Sequence, residues 1–482
     1  MHPNTHLDIA LAAAIAVSPG LTGPIARALD AAHAIPGAFP AVSATIVQGD
    51  APPWVHVRGA DEQALFYIAS QTKSFMGLLG ATLDRRGVLP LDTTLADVWP
   101  ELVLPAPADP RRITMAALLS HQEGLTTDTL NFVTAYVRTI PASDYPRWLA
   151  TEVRARDPGF RYSNLGDLVY AAALESHTGR DWRQWLDEAV LRPLELEQGV
   201  LSRSSLAPAS AFAWNHQWDG MQWRAFPPKP DALMHPAGGL FASAQAMGTW
   251  MRANLGTGEA GSALPRTDFT RAQEPVAAAR LADGEIDCNG YSLGWYSCTY
   301  KGQHALMHPG SYVGTVSVTV LVPTVDAGLS LVVNSDTAME GFELEVMKAF
   351  IGLATGQEGE QARLDAAVTA LPSRIAATVH ERQAAMEEER ADAAWSGWNW
   401  KPSASELQAC TGRFRDELFG TLELRMHGTG LAATIGERSL VLEPARQGLF
   451  AASDGTVDTP EPLACDPSAR VLHWRGRSFR KP

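Results

Sequence analysis

The clearest chemistry in the chain is a serine and a lysine three positions apart, Ser70-Gln71-Thr72-Lys73. A serine hydroxyl is a poor nucleophile until a neighbouring base takes its proton. On a helix, residues i and i+3 share one face about 5–6 Å apart, so Lys73 can reach the Ser70 hydroxyl. Burial lowers a lysine pKa towards working pH and makes the amine a usable base. At the entry of a helix, the Ser70 N–H also points at developing negative charge. The spacing alone is common, and Ser478-Phe479-Arg480-Lys481 repeats it near the far end of the chain with nothing catalytic around it. Two further groups give the first match its weight. Tyr162-Ser163-Asn164 is the only Tyr-x-Asn in the sequence. A phenol held near Lys73 can shuttle a proton, and an Asn amide can fix a substrate carbonyl or the lysine. The plainer reading of this triplet is a turn capped by Ser and Asn before a helix. His308-Pro309-Gly310-Ser311 opens a strand-like run. Gly310 there would let a substrate backbone approach closely, and the Ser311 N–H would complete an oxyanion hole with that of Ser70. His177-Thr178-Gly179 has the same look but ends a helical pattern, where Gly is an ordinary C-cap.

Other engines fail on context or are absent. There is no HExxH and no GxxxxGK[ST]. Gly256 to Gly261 matches GxGxxG, but it follows a helix-like run where the dinucleotide fingerprint needs a strand. Gly290-Tyr291-Ser292-Leu293-Gly294 matches GxSxG. A polar turn precedes that serine and a strand-like run follows, the reverse of a nucleophile elbow.

The elements that must position these groups read as mixed α and β from Thr22 to about Ala354. Ile25 to His33, Ser74 to Arg86, Ile113 to Ser120, Leu165 to Thr178 and Asp181 to Leu191 have helical spacing. Ala41 to Val47, Leu293 to Tyr300, Thr315 to Val322 and Leu329 to Val333 alternate or run apolar with β-branched residues. Strands at both ends with helices between predict one sheet closed by the two ends of the region, with a helical insert. Gln357 to Ala394 is charged, helix-prone and interrupted at Pro372, which predicts a linker helix pair. The tryptophans 395, 398 and 400 pack that linker against the core. From Cys410 onward, runs at Thr421 to Met426, Leu431 to Ile435, Ser439 to Leu442 and Val471 to Trp474 predict a small β-domain.

Composition narrows the class. With 46% apolar and 19% charged residues the chain is globular, not intrinsically disordered. A net charge of −14 repels phosphate backbones, so a nucleic-acid partner is not expected. The four cysteines form no CxxC pair that would suggest zinc, and no cofactor is expected. Cys288 and Cys298 are read as two buried thiols, although their spacing allows a pair. No apolar run is long enough to span a membrane. Ile9 to Val17 is apolar with small residues near its end, but no Lys or Arg precedes Arg27, so a cytoplasmic, unexported chain is expected. Periplasmic or secreted protein is the alternative. Nothing in the sequence sets an oligomeric state.

Five segments in one order carry a resemblance. Ile68 to Ser74 (IASQTKS), Ile113 to Leu125 (ITMAALLSHQEGL), Asp157 to Gly166 (DPGFRYSNLG), Pro236 to Ala244 (PAGGLFASA) and Tyr291 to Trp295 (YSLGW) resemble the blocks of class C β-lactamase-related serine hydrolases. These belong to the penicillin-binding protein and DD-peptidase superfamily, and the likeness is to its D-aminopeptidase- and esterase-like branch. The resemblance implies an α+β fold, an antiparallel sheet flanked by helices with a helical subdomain. It implies Ser70 as acylated nucleophile, Lys73 as base, Tyr162 in proton transfer, and Asn164, His308, Gly310 and Ser311 in substrate binding. Under it, His121 and Glu123 belong to loop architecture. His308 stands where lactamases and many DD-peptidases have Lys, and a mostly neutral imidazole is a weak anchor for a carboxylate. The expected domains are an N-terminal segment at 1–25, the hydrolase domain at 26–355, a helical linker at 356–401 and a barrel-like β-domain at 402–482. The expected reaction is cleavage of a small-molecule ester, amide or short peptide, including D-amino-acid peptides. A β-lactamase or DD-carboxypeptidase is the alternative, and a non-catalytic binding protein on the same scaffold the second.

Overall fold

The computed structural model describes residues 16–337 and 341–481, so the apolar run Ile9 to Val17 falls almost entirely outside the described residues. The main sheet has eight antiparallel strands in the order Leu281–Asp283, Ile286–Tyr291, Tyr296–Tyr300, Gln303–Tyr312, Thr315–Val322, Ala327–Val333, Val42–Gln48 and Trp54–Arg58. Val42 lies opposite Val333 and Gln48 opposite Ala327, so the two ends of the region join in one sheet as the pattern predicts. Period-two alternation decides which residues face which layer. Val316, Val318, Val320 and Val322 share a core with Val42, Ala44 and Ile46 and with the helices Pro19–His33 and Phe342–Ala354. The alternate residues Ser317 and Thr319 turn small hydroxyls to the other face, where the Ser70 turn lies. The helices Thr72–Arg85, Leu165–Thr178 and Ala244–Leu255 belong to the second large core on that side.

The linker differs from its expected form. It is one 32-residue helix, Glu360–Ala391, with Pro372 inside it. Glu360, Leu364, Ala367, Leu371 and Ile375 form one buried stripe that continues past the proline. Pro372 itself is exposed, and packing of the buried stripe on both sides of it holds the helix across it.

The C-terminal residues close an eight-stranded antiparallel barrel, with Gly412–Asp416 meeting Arg477–Arg480. It docks on the helical subdomain. Arg477 bonds Glu152 at 2.9 Å, and Arg138 donates to the Leu418 carbonyl at 2.8 Å. Trp395 buries against Ala445, Leu449 and Ala451 of the barrel, and Trp400 meets Phe450, so these tryptophans pack the linker on the barrel. The cysteines also depart from expectation. Cys288 pairs with Cys298 across adjacent strands, and Cys410 with Cys465 inside the barrel domain. Two thiols on directly opposed residues of an antiparallel ladder are already at bonding reach, a juxtaposition that burial rates alone do not anticipate.

Candidate active site

Ser70 sits in a single turn, Ala69–Gln71, that runs straight into the helix Thr72–Arg85. Ala69 has φ 47°, a left-handed conformation that is strained for any residue with a Cβ. Its neighbours hold it there. Thr72 Oγ1 donates to the Ala69 carbonyl at 2.7 Å, Ser317 Oγ to the Ile68 carbonyl at 3.0 Å, and Thr319 Oγ1 to Gln71 Oε1 at 2.5 Å. Gly310 completes the cradle. A Cβ at this position would lie 2.5 Å from the Ile68 carbonyl oxygen and 3.0 Å from the Ser70 nitrogen. The glycine therefore serves the approach of the nucleophile turn to the strand, where the sequence suggested the approach of substrate backbone.

Lys73 is 1% exposed. Its Nζ lies 3.3 Å from Ser70 Oγ, 2.9 Å from Asn164 Oδ1 and 2.6 Å from the Ala237 carbonyl. Burial lowers its pKa, and the nearby Asp167 carboxyl raises it in part. The Tyr162 hydroxyl lies towards Ser70, and Lys73 Nζ stands 4.9 Å from the centre of its ring. Although Tyr162 is 39% exposed, its hydroxyl end is enclosed, and desolvation raises its pKa. The phenol therefore keeps its proton at neutral pH while the amine is the group eased towards losing one. Arg156 fixes the loop that carries Tyr162, donating to the His121 and Gly159 carbonyls at 3.2 and 2.9 Å. Ser163 Oγ caps the helix Leu165–Thr178 by accepting from the Leu165 N–H.

His308 lies behind the cleft surface. It is fully buried, with Nε2 3.1 Å from the Tyr291 hydroxyl and Nδ1 2.7 Å from the Pro309 carbonyl. Burial, with the Lys73 charge, pushes its pKa down to about 3. The Tyr291 hydroxyl also meets His121 Nε2 at 3.1 Å, so the three residues form a buried chain behind Tyr162. Both ring nitrogens of His308 face protein partners. Asp167 was not anticipated. It is buried three residues beyond Asn164, on the same helical face, and desolvation raises its pKa despite Lys73. Its only signal was that i+3 spacing, because an Asp in a first helical turn reads as an ordinary charge at a helix N-terminus.

Ser70, Asn164 and Ser311 line one cleft of about 490 Å³. Tyr312 and Lys229 line its wall as well, and Asp458 reaches it from the barrel. The barrel loop is latched there, since the Val457 N–H donates to Gln217 Oε1 at 3.0 Å and Gln217 Nε2 to Asp336 at 2.9 Å. The competing serines lie apart. Ser292 is buried and donates to the Trp295 carbonyl within a turn, and Ser478 sits on the outer barrel against His473. Gly256 ends the helix Ala244–Leu255 in a left-handed conformation, a C-cap rather than a phosphate loop. A second cavity of about 350 Å³ lies between the long helix and the barrel, lined by Trp218, Arg382 and Trp398. Among the described residues, no group of three or more His, Cys, Asp or Glu is placed to hold a metal ion. No helix among them is long and apolar enough to cross a membrane.

A family model described as Beta-lactamase matches residues 25–353. Penicillin-binding protein 4 of Amycolatopsis lactamdurans is 25% identical over 361 residues, which cover 68% of this chain and 88% of that one. An unguisins hydrolase of Aspergillus campestris is 25% identical over 290 residues, 57% of this chain. The match spans 52%, about half, of that relative's length. Among solved structures, an octameric penicillin-binding protein homologue from Pyrococcus abyssi superposes with a TM-score of 0.58 at 16% identity, covering 95% of this chain and all of its own. A D-amino acid amidase from Ochrobactrum anthropi gives 0.57 at 19% identity, over 70% of this chain and 99% of its own. A D-stereospecific amidohydrolase from Streptomyces gives 0.55 at 19%, over 68% and 97%. At these identities the superpositions speak to the fold.

Proposed function

The chain belongs to the β-lactamase family of serine hydrolases, and from that premise we propose that it cleaves an ester or amide bond through an acyl-enzyme on Ser70, with amides and short peptides of D-amino acids as the substrate class. One observation carries the reading. Two of the three Lys73 contacts, Asn164 Oδ1 and the Ala237 carbonyl, can only accept hydrogen bonds. A neutral amine gives its two protons to them and keeps its lone pair for the third neighbour, the Ser70 hydroxyl. Lys73 then takes the Ser70 proton as Oγ attacks the carbonyl carbon. The oxyanion is met by the N–H groups of Ser70 and Ser311. Tyr162, which keeps its proton, passes it to the departing nitrogen or oxygen and is resupplied from Lys73. Water attacks the acyl-enzyme by the same route in reverse.

The D-residue preference is supported by the amidase and amidohydrolase folds above. The neutral His308 supports amide or ester substrates over β-lactams, since it provides no fixed charge for a lactam carboxylate. A fluorophosphonate probe should label Ser70, located by peptide mass spectrometry. A panel of nitrophenyl esters, D- and L-alanine anilides and a chromogenic cephalosporin should show D-anilide or ester turnover well above that of the cephalosporin. Dominant cephalosporin hydrolysis would make the β-lactamase reading the correct one, and an unlabelled Ser70 with no turnover would leave a binding protein. Residues 26–355 are assigned as the catalytic domain, 356–401 as linker and 402–482 as the barrel domain. The disulfide pairs Cys288–Cys298 and Cys410–Cys465 support an oxidising compartment, periplasmic or external, over the cytoplasm as the working location.

A further inference from the structure

Lys229 is only 6% exposed, yet it lines the same cleft as Ser70. Its Nζ stands 4.2 Å from the centre of the Tyr312 ring and 5.7 Å from that of Tyr67. The Tyr67 hydroxyl accepts from it at 3.4 Å and gives its own proton to the Gly238 carbonyl. An ammonium has three donors, and two find no partner among the described residues. No carboxylate acts on this amine among the described residues, and burial alone shifts its proton affinity, down to about 7. The other charged groups around it do not neutralise it. Asp336 is occupied by Arg382, Gln217 and the Gly314 N–H. Asp128 and Asp458 are exposed residues of the cleft lining. His235 is held neutral by burial and by the charges of Lys229, Lys73 and Arg183.

A buried cation with open donors and no counter-ion is unfavourable in the empty site and becomes favourable when an anion enters. We propose that Lys229 is the anchor for a single carboxylate on the substrate, held in the Tyr67–Tyr312 wall of the cleft. This rests on the hydrolase reading above and narrows its substrate class to esters or amides that carry one carboxylate, on either the acyl or the leaving side of the scissile bond. The charge missing at His308 is thereby supplied from another element and at another place. One cation balances one negative charge, so a carboxylate is matched where a dianionic phosphate leaves a second charge uncompensated.

Two matched pairs test it in the full-length protein at pH 6.5: N-succinyl-D-alanine p-nitroanilide against its succinyl methyl ester, and D-alanyl-D-alanine against D-alanyl-D-alaninamide. The acid of at least one pair should be preferred by about tenfold to a hundredfold, mainly in KM, the range of one charge-assisted bond. Lys229→Met should bring the ratio near one, and Lys229→Arg should restore part of it. A second readout needs no turnover. Propionate should raise the Tm of the wild type while propionamide does not, and Lys229→Met should respond to neither. Equal wild-type responses to acid and neutral probes overturn the anchor, even where fluorophosphonate labels Ser70 and even if Lys229→Met does not fold. A propionate-specific shift that persists in folded Lys229→Met overturns it too. An unlabelled Ser70 with the Lys229-dependent shift intact sinks the hydrolase reading and upholds the anchor.

Discussion

Lys73 and Lys229 are both buried against one cleft, and they are held in opposite ways. Lys73 has Asn164 Oδ1, the Ala237 carbonyl and Ser70 Oγ around it and Asp167 nearby. Lys229 has one long bond to a phenol and two aromatic faces. Desolvation lowers both, but only Lys73 has a neighbouring carboxyl that opposes the shift. The first is therefore a fixed amine whose free direction is set by its partners. The second has open donors and no set direction. A base needs the former, and an anchor for an incoming anion needs the latter.

The comparison depends first on the hydroxyl that Lys73 faces. Ser70→Ala should abolish fluorophosphonate labelling and lower turnover by about a thousandfold or more with the fold intact, because it removes the attacking atom and little packing. Ser478→Ala and Ser292→Ala, which match only in sequence spacing, should still label. Retention of wild-type turnover in Ser70→Ala would end the assignment.

Lys73→Arg should cost roughly a hundredfold to ten-thousandfold in kcat, since a guanidinium does not give up its proton in the working range. A variant of near-normal kcat would show that the Lys73 partners do not make it the base.

Stability separates the two lysines with opposite signs. Lys73→Met leaves the Asn164 and Ala237 acceptors and the Asp167 carboxyl without their partner, so it should lower stability. Lys229→Met removes a buried unpaired cation and should raise it by about 1–4 kcal/mol in denaturant titrations at pH 6. In the wild type the folded pKa of Lys229, about 7, lies below the ordinary value of about 10.4. The unfolded chain then binds the extra proton between those values, so wild-type stability rises with pH across that window. The advantage of Lys229→Met should be full below pH 7 and fade towards pH 10. A constant advantage would mean the amine is not the cause.

The smallest effect concerns Asp167. Its charge favours the protonated form of Lys73. Asp167→Asn removes that influence, so the rising acid limb of the kcat/KM profile should move to lower pH by about one unit or less. A shift to higher pH would contradict the electrostatic arrangement.

Much of this arrangement was legible in the chain because it depends on short-range period. Thr315 to Val322 alternates, and that alternation sorts the valines from the hydroxyls that support the Ser70 turn. Leu165 to Thr178 has the same bounds in sequence and structure, because Ser163 and Gly179 mark its two ends. Four barrel strands stood out by their apolar runs. The strands Gly412–Asp416 and Arg477–Arg480, rich in arginine, carry no apolar run; each forms a hairpin with its chain neighbour, Gly420–His427 or Val471–Trp474, and only the barrel closure, Arg415 opposite Arg480, joins residues far apart in the chain.

What the sequence determined by itself is the set of elements and the order of the motifs, since helical and strand periods and the i, i+3 spacing of Ser70 and Lys73 are local properties. What only the tertiary structure decided is which side chains meet. The His308 ring turns from the cleft into a buried chain with Tyr291 and His121. Gly310 serves the Ser70 turn, and the barrel loop brings Asp458 to the cleft. Lys229, 156 positions beyond Lys73 in the sequence numbering, reaches the same cavity from an irregular segment with no periodic signal. Burial and partnership are set by residues distant in the chain, and these two properties shift a proton affinity or leave a cation unpaired.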